Sequence, residues 1–120
     1  LFGSSSEFGL HKGLNLINGK VEKLPNEKYK GAKLPNVGWF KIEFNLENNL
    51  FDSVSISDFF YFTHSFHCVP KKKENILATY SFHGEKIVAA VIKDNIIGLQ
   101  FHPEMSSYAG KNILKNFIKK

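Results

Sequence analysis

A histidine and a glutamate flank a proline in the segment "GLQFHPEMSS" (residues 98–107), where an apolar run ends. In extended backbone, residues i and i+2 project to the same side about 6–7 Å apart, and Pro103 disfavours helical backbone at His102. The Glu104 carboxylate could therefore bond one imidazole nitrogen of His102 and leave the other free. Such an oriented imidazole is the acid/base arm of a nucleophile–histidine–acid triad, so we predict catalytic roles for both residues.

A purely structural interpretation of this pair stays open, because His-x-Glu spacings are common. His102 could be a satisfied histidine at a strand end, and Glu104 could favour the positive N-terminus of a following helix. The chain also offers few candidates for a nucleophile. Its single cysteine, Cys68, lies on no glycine-flanked turn, so we expect a small buried residue there and not a reactive thiolate.

The elements that must position these residues are mostly strands. The run Lys86–Lys93 is apolar along nearly its whole length, which is typical of a strand covered on both faces. The aromatic run 59–66 predicts one buried strand, closed by Pro70. Turns are predicted at His83-Gly84 and Asp94-Asn95. Further strands are predicted in the segments 12–25, 33–44, Leu77–Phe82 and Ile96–Phe101.

One segment, residues 106–120, has the apolar spacing of a helix, with Ser106 or Ser107 suited to cap its N-terminus. A single helix cannot cover both faces of a sheet, so we expect an α/β layered fold of which this chain is one part. The first residue, Leu1, is not an initiator methionine, which also favours the later part of a longer protein. The predicted apolar stripe consists of Ile113, Leu114, Phe117 and Ile118.

Composition narrows the classes of function. At 120 residues the chain is one domain at most, and no apolar run approaches the roughly 20 residues of a membrane span. The net charge is +5, but all sixteen basic residues are scattered lysines, which weakly supports nucleic-acid binding. A single cysteine suits the reducing cytoplasm. His64, His67 and Cys68 lack a second ligand pair at metal spacing, so we expect no metal and no cofactor.

The quoted segment resembles the C-terminal triad motif of class I glutamine amidotransferases. Further segments match, in the same order, the subfamily that forms the glutaminase subunit of imidazole glycerol phosphate synthase. The resemblance extends from Leu1 to about Lys119. It implies that residues 1–120 are the C-terminal portion of one flavodoxin-like, three-layer α/β domain, strand-rich with a C-terminal helix. The further segments are "KGLNLINGKVEKLP", "KLPNVGW", "YFTHSF" and "GKNILKNFI".

The resemblance implies that a cysteine thiolate attacks the side-chain amide of glutamine, that His102 moves protons and that Glu104 orients His102. Ammonia then passes to a cyclase subunit in a heterodimer that takes part in histidine biosynthesis. The family's cysteine lies in a Gly-x-Cys-x-Gly turn that would precede Leu1, so we expect the 120 residues alone to be inactive. Two alternatives stay open: a paralogue that feeds another acceptor, such as a surface sugar, or a non-catalytic partner-binding remnant.

The resemblance also implies two sets of binding residues. The segment Thr63–Phe66, which comprises Thr63, His64, Ser65 and Phe66, matches the part of the family whose backbone holds glutamine, with phenylalanine where tyrosine is usual. The second set would face the cyclase subunit, and in it Met105 replaces the family's frequent lysine. No nucleic acid or membrane is expected as a partner. This partner-facing set consists of Asn36, Trp39, Tyr61 and Met105.

Overall fold

A computed structural model describes residues 1–7 and 11–119 of the chain. Within these residues the structure contains ten strands and one α-helix, so the expected strand-rich α/β class is confirmed. The elements are β1 Phe2–Ser5, β2 His11–Lys12, β3 Ile17–Lys23, β4 Asn36–Lys41, β5 Glu43–Phe44, β6 Phe59–His64, β7 Phe66–Pro70, β8 Ile76–Phe82, β9 Glu85–Lys93, β10 Ile96–Leu99 and α1 Ser107–Ile118.

The described strands form three sheets with the orders β2-β1-β3-β7, β10-β9-β8-β5 and β4-β6. Strands β1 and β3 run parallel, and the other neighbours are antiparallel. The predicted turn between β8 and β9 is present, with His83 at φ 50° and Gly84 at φ 86°, as a tight hairpin requires. Ala89, Ala90 and Val91 are consecutive in β9 and all buried, so both faces of the strand are covered, which explains its continuous apolar sequence.

The aromatic run 59–66 was predicted to be one strand, and this prediction is wrong. The chain leaves the sheet at Ser65, whose carbonyl accepts a hydrogen bond from the Leu24 amide at 2.8 Å. Strand β6 pairs with β4, whereas β7 joins β3 in a different sheet, where Pro70 lies opposite Gly19. Pro70 is the last residue of β7, so it closes this second strand and not the aromatic strand β6.

Strands β4 and β6 alternate between two faces because successive strand side chains point in opposite directions. The inner face packs into the main core, and the outer face is largely exposed. On the inner face, the cross-strand pairs are Asn36 with His64, Gly38 with Phe62 and Phe40 with Phe60. On the outer face, they are Val37 with Thr63, Trp39 with Tyr61 and Lys41 with Phe59.

Helix α1 forms where predicted, but it turns a different face to the core. Ile113 is buried at 1 % exposure, whereas Ile118 is 79 % exposed. Small residues, Ala109 and Gly110, are buried beside Ile113. The side chain of Asn116 donates hydrogen bonds to the carbonyls of the 50–52 turn, and these contacts set the rotation of the helix. No helix among residues 1–7 and 11–119 is long and apolar enough to cross a membrane.

Candidate active site

The contact predicted between His102 and Glu104 is present. Nδ1 of His102 lies 2.9 Å from Oε1 of Glu104, and the two side chains are 43 % and 59 % exposed. His102 is extended (φ −96°, ψ 98°), but Pro103–Met105 forms a single 3₁₀ turn. The carboxylate therefore reaches the imidazole through this turn, and not through the strand alternation that the sequence suggested.

Electrostatics favour the ionised form of Glu104. A hydrogen bond from its own backbone N–H lowers the pKa of the carboxyl, and the bond from the His102 ring lowers it further. A carboxylate can only accept hydrogen bonds, so Nδ1 of His102 donates to it. Proton transfer to or from a reacting group would then use Nε2, as an acid/base histidine requires.

The backbone of this turn is fixed by Ser106, a residue considered from sequence only as a helix cap. The His102 amide donates to the Tyr61 carbonyl at 3.0 Å. The fully buried Ser106 hydroxyl accepts from the Tyr61 amide at 3.0 Å and donates to the His102 carbonyl at 2.6 Å. These three bonds join strand β6 to the backbone of the predicted base. No local sequence signal reveals the two bonds to Tyr61, because Ser106 and Tyr61 lie 45 residues apart.

Gly110 allows α1 to lie directly on the same turn. A Cβ atom at this position would lie 2.0 Å from the Pro103 carbonyl oxygen and 2.9 Å from Cβ of Ser106. Any side chain would push the helix away from the turn, so glycine is required for the close approach. Gly110 and Ser106 therefore fix the backbone of the turn that carries His102.

The predicted glutamine-holding segment contains a buried histidine whose side chain is fully engaged. Nδ1 of His64 lies 2.8 Å from the Phe66 carbonyl oxygen, and Nε2 lies 2.7 Å from the Tyr80 hydroxyl. The Tyr80 oxygen in turn accepts from the Asn36 amide at 3.0 Å. Because a carbonyl can only accept, Nδ1 carries the proton, and Tyr80 donates to Nε2. Burial lowers the pKa of His64, which favours this neutral form.

Thr63, His64, Ser65 and Phe66 line a cleft of about 670 Å³, together with apolar residues of β9 and β10. His102 and Glu104 do not line it, although Gln100, two residues before His102, does. Within the described residues, the structure therefore brings the Thr63–Phe66 segment to a cleft but leaves the His102–Glu104 pair outside it.

The predicted partner-facing residues separate into two groups. Trp39, 48 % exposed, packs edge-on against Tyr61 on the outer face with ring centroids 5.6 Å apart, and the Tyr61 ring lies 6.4 Å from the His102 ring. Met105 is also exposed, next to Glu104. Asn36 differs, because its amide points to the inner face and bonds Tyr80. Asn36 is half-buried, and its contact with a partner stays a prediction.

Cys68 is half-buried on β7, opposite Val21, and burial raises the pKa of its thiol to about 11. It is therefore protonated at neutral pH and unsuited to nucleophilic attack. His64 and His67 lie on different strands, β6 and β7. Residues 1–7 and 11–119 contain no group of three or more potential metal ligands.

The chain is similar to known proteins over nearly its whole length. The family model for class I glutamine amidotransferases matches residues 7–120. Subunit HisH of imidazole glycerol phosphate synthase from Chlorobium chlorochromatii is 40% identical over 119 residues, covering 99% of this chain and 58% of that protein. Subunit HisH 2 from Methanococcus maripaludis is 42% identical over 120 residues, which cover 99% of this chain and 57% of the relative. The chain thus spans little more than half the length of these relatives.

A solved structure supports the fold independently of close sequence similarity. A Thermoplasma acidophilum protein described as one of the subunits of GMP synthase superposes with a TM-score of 0.64 at 21% identity, covering 84% of this chain and 47% of that one. At this identity the likeness concerns the fold alone. The family follows from the match over residues 7–120: the chain belongs to the class I glutamine amidotransferase family.

Proposed function

We propose that the intact protein is the glutaminase subunit of imidazole glycerol phosphate synthase, and that residues 1–120 are the C-terminal portion of its single amidotransferase domain. The observation that carries the proposal is the 2.9 Å bond between His102 and Glu104, in a chain of this family. The relatives named HisH, with 38% to 42% identity over nearly the whole chain, support the choice of acceptor pathway.

In this proposal the nucleophile is a cysteine outside these residues, since the Cys68 thiol is protonated and lies within β7. His102 takes the thiol proton, and the thiolate forms a bond to the side-chain amide carbon of glutamine. His102 then gives the proton to the departing nitrogen, which leaves as ammonia. Water attacks the resulting thioester, passes a proton to His102, and releases glutamate with return of the thiol. Glu104 holds Nδ1 throughout.

The binding partners follow from the same residues. Glutamine would be held along the backbone of Thr63–Phe66, which lines the large cleft. A cyclase subunit would dock on the outer face of β4 and β6 through Trp39 and Tyr61, with Met105 beside them, and would receive the ammonia. We place this heterodimer in the cytoplasm, where a thiolate nucleophile stays reduced.

The test uses the intact protein assembled with its cyclase subunit. Replacing His102 by alanine should reduce glutamine turnover about 10²- to 10⁴-fold, because the acid/base group is lost. The control is His83→Ala, on the exposed β8–β9 turn, which should keep wild-type turnover. Undiminished turnover in His102→Ala would reject the proposal. Growth without histidine of a strain lacking this subunit, restored by the intact gene, distinguishes the pathway from another acceptor.

A further inference from the structure

We infer that Asn36, Tyr80 and His64 form a positioning network that couples the partner-facing strand β4 to the glutamine-holding segment Thr63–Phe66. The inference rests on the proposed function, since it concerns the same glutamine site and the same partner. It adds three residues that hold the site without touching the reacting atoms.

The network is a continuous chain of hydrogen bonds that joins residues of all three sheets. Asn36 on β4 donates to the Tyr80 hydroxyl on β8 at 3.0 Å, and that hydroxyl donates to His64 Nε2 at 2.7 Å. The ring then donates from Nδ1 to the Phe66 carbonyl at 2.8 Å. Each donor has one acceptor, so all three side chains are held in one arrangement.

Burial makes this arrangement specific. Tyr80 is 2 % exposed and His64 is 8 % exposed, so a broken bond would leave a polar group without water to replace its partner. The Tyr80 ring is itself clamped, with centroids 4.3 Å from Phe62 and 5.2 Å from Phe40. The Phe66 carbonyl is thereby fixed in place at the point where β6 gives way to β7.

The position of Asn36 links this carbonyl to the surface. Its neighbour Val37 and the nearby Trp39 point outward from the same short strand. A partner that presses on the outer face would therefore shift or stiffen β4, and the Asn36 amide on its inner face would carry that change to Tyr80. Docking and glutamine binding would be coupled through the equilibrium position of this strand.

The first variant is Tyr80→Phe in the intact protein assembled with its cyclase subunit. It keeps the packed ring and removes only the hydroxyl. We expect the KM for glutamine to rise about three- to tenfold, the change that loss of one or two buried hydrogen bonds corresponds to. The kcat should stay near wild type, because Ser106 and Glu104 hold His102 independently. The matched control is Tyr29→Phe, which loses a hydroxyl bonded at 3.3 Å to Glu85 elsewhere.

A second variant, Asn36→Ala, removes the half-buried end of the network and keeps the test valid if Tyr80→Phe folds poorly. We expect docking of the cyclase subunit to change the KM of the wild type for glutamine, and this change should be smaller in either single variant. It should fall no further in the double variant, since coupled residues are not additive. ¹⁵N NMR of the wild-type His64 ring should report a proton on Nδ1.

An unchanged KM and an unchanged effect of docking on the KM in both variants would overturn the inference, even if their melting temperatures fell. A lower melting temperature alone would assign the network a purely structural role. These results leave the proposed function intact, because that depends on His102. Undiminished glutamine turnover in the His102→Ala variant would instead reject the proposed function, and the inference with it.

Discussion

The two candidate parts of the site are held in opposite ways. In the turn from His102 to Ser106, the backbone is fixed by hydrogen bonds to β6, and the His102 and Glu104 side chains remain exposed. In the segment from Thr63 to Phe66, a buried side chain is fixed and the backbone borders the cleft. The first arrangement leaves side chains free for proton transfer, and the second leaves backbone groups in place for binding.

This difference predicts which measurements each region should affect. Changes to the exposed side chains of the turn should alter chemistry and leave stability nearly intact. Changes to the contacts that hold either backbone should reduce stability first, and alter kinetics only through position. Glutamine turnover and the free energy of unfolding, measured on the same variants, therefore show which of the two arrangements holds for each region.

The largest expected effect is on turnover, from Glu104→Gln. The amide keeps the size of the side chain, but it has one acceptor oxygen instead of two. It also carries no negative charge to stabilise a protonated His102. Glutamine turnover by the intact, assembled enzyme should fall about 10²- to 10⁴-fold. The melting temperature should hardly change, because Glu104 is exposed. The control is Glu74→Gln, an exposed member of a surface ion pair. Retained turnover would mean that the carboxylate does not orient the base.

A smaller effect is expected on stability, from Gly110→Ala. Alanine normally stabilises a helix interior by about 1 kcal/mol relative to glycine, but here its Cβ would lie 2.0 Å from the Pro103 carbonyl oxygen. We expect the free energy of unfolding in urea to fall by about 1–3 kcal/mol, as for overpacked contacts. Lys115→Ala is the comparison, since this residue is exposed on the same helix and its replacement should change stability by less than about 0.5 kcal/mol. A stabilised Gly110→Ala protein would contradict the close packing of α1.

The smallest effect concerns pH. Burial lowers the pKa of His64 from its ordinary value of 6.5, so the unfolded chain binds this proton more readily. The contribution of the neutral His64 ring to the free energy of unfolding is fully present above pH 6.5, and it declines as the pH falls below that value. Unfolding in urea at pH 7.5 and 5.5 should therefore show lower stability at the lower pH. His67, whose pKa burial also lowers, adds to the same slope, so the His64→Gln variant isolates the contribution of His64.

An equal slope in wild type and His64→Gln would show that His64 is not held neutral by its surroundings. Glu104 does not account for a difference in stability between pH 7.5 and pH 5.5. Its pKa is lowered from an ordinary value of 4.5, so its contribution is present above that value and is lost only at more acidic pH.

Features set by neighbours in sequence were predictable. The β8–β9 turn follows from His83-Gly84, and the burial of β9 follows from its apolar run. The contact between His102 and Glu104 also formed as expected, although through a 3₁₀ turn, because residues two apart remain close in either geometry. In each case, residues adjacent in the sequence were sufficient for the prediction.

Features set by distant partners were not predictable from one sequence. The break at Ser65 depends on which strands pair with β6 and β7. The buried face of α1 depends on Gly110 and on Asn116, which reaches a turn 66 residues away. The bonds of Ser106 and Tyr80 likewise cross between elements, and no periodicity or local motif encodes them.

The environment of Cys68 has a consequence for affinity labelling. Alkylating reagents modify thiolates, and a thiol with a pKa of about 11 supplies almost none at neutral pH. A glutamine analogue that carries an electrophile should therefore leave the peptide containing Cys68 unmodified. Any adduct found by mass spectrometry on the intact enzyme would then mark the attacking sulfur directly, without background from this residue.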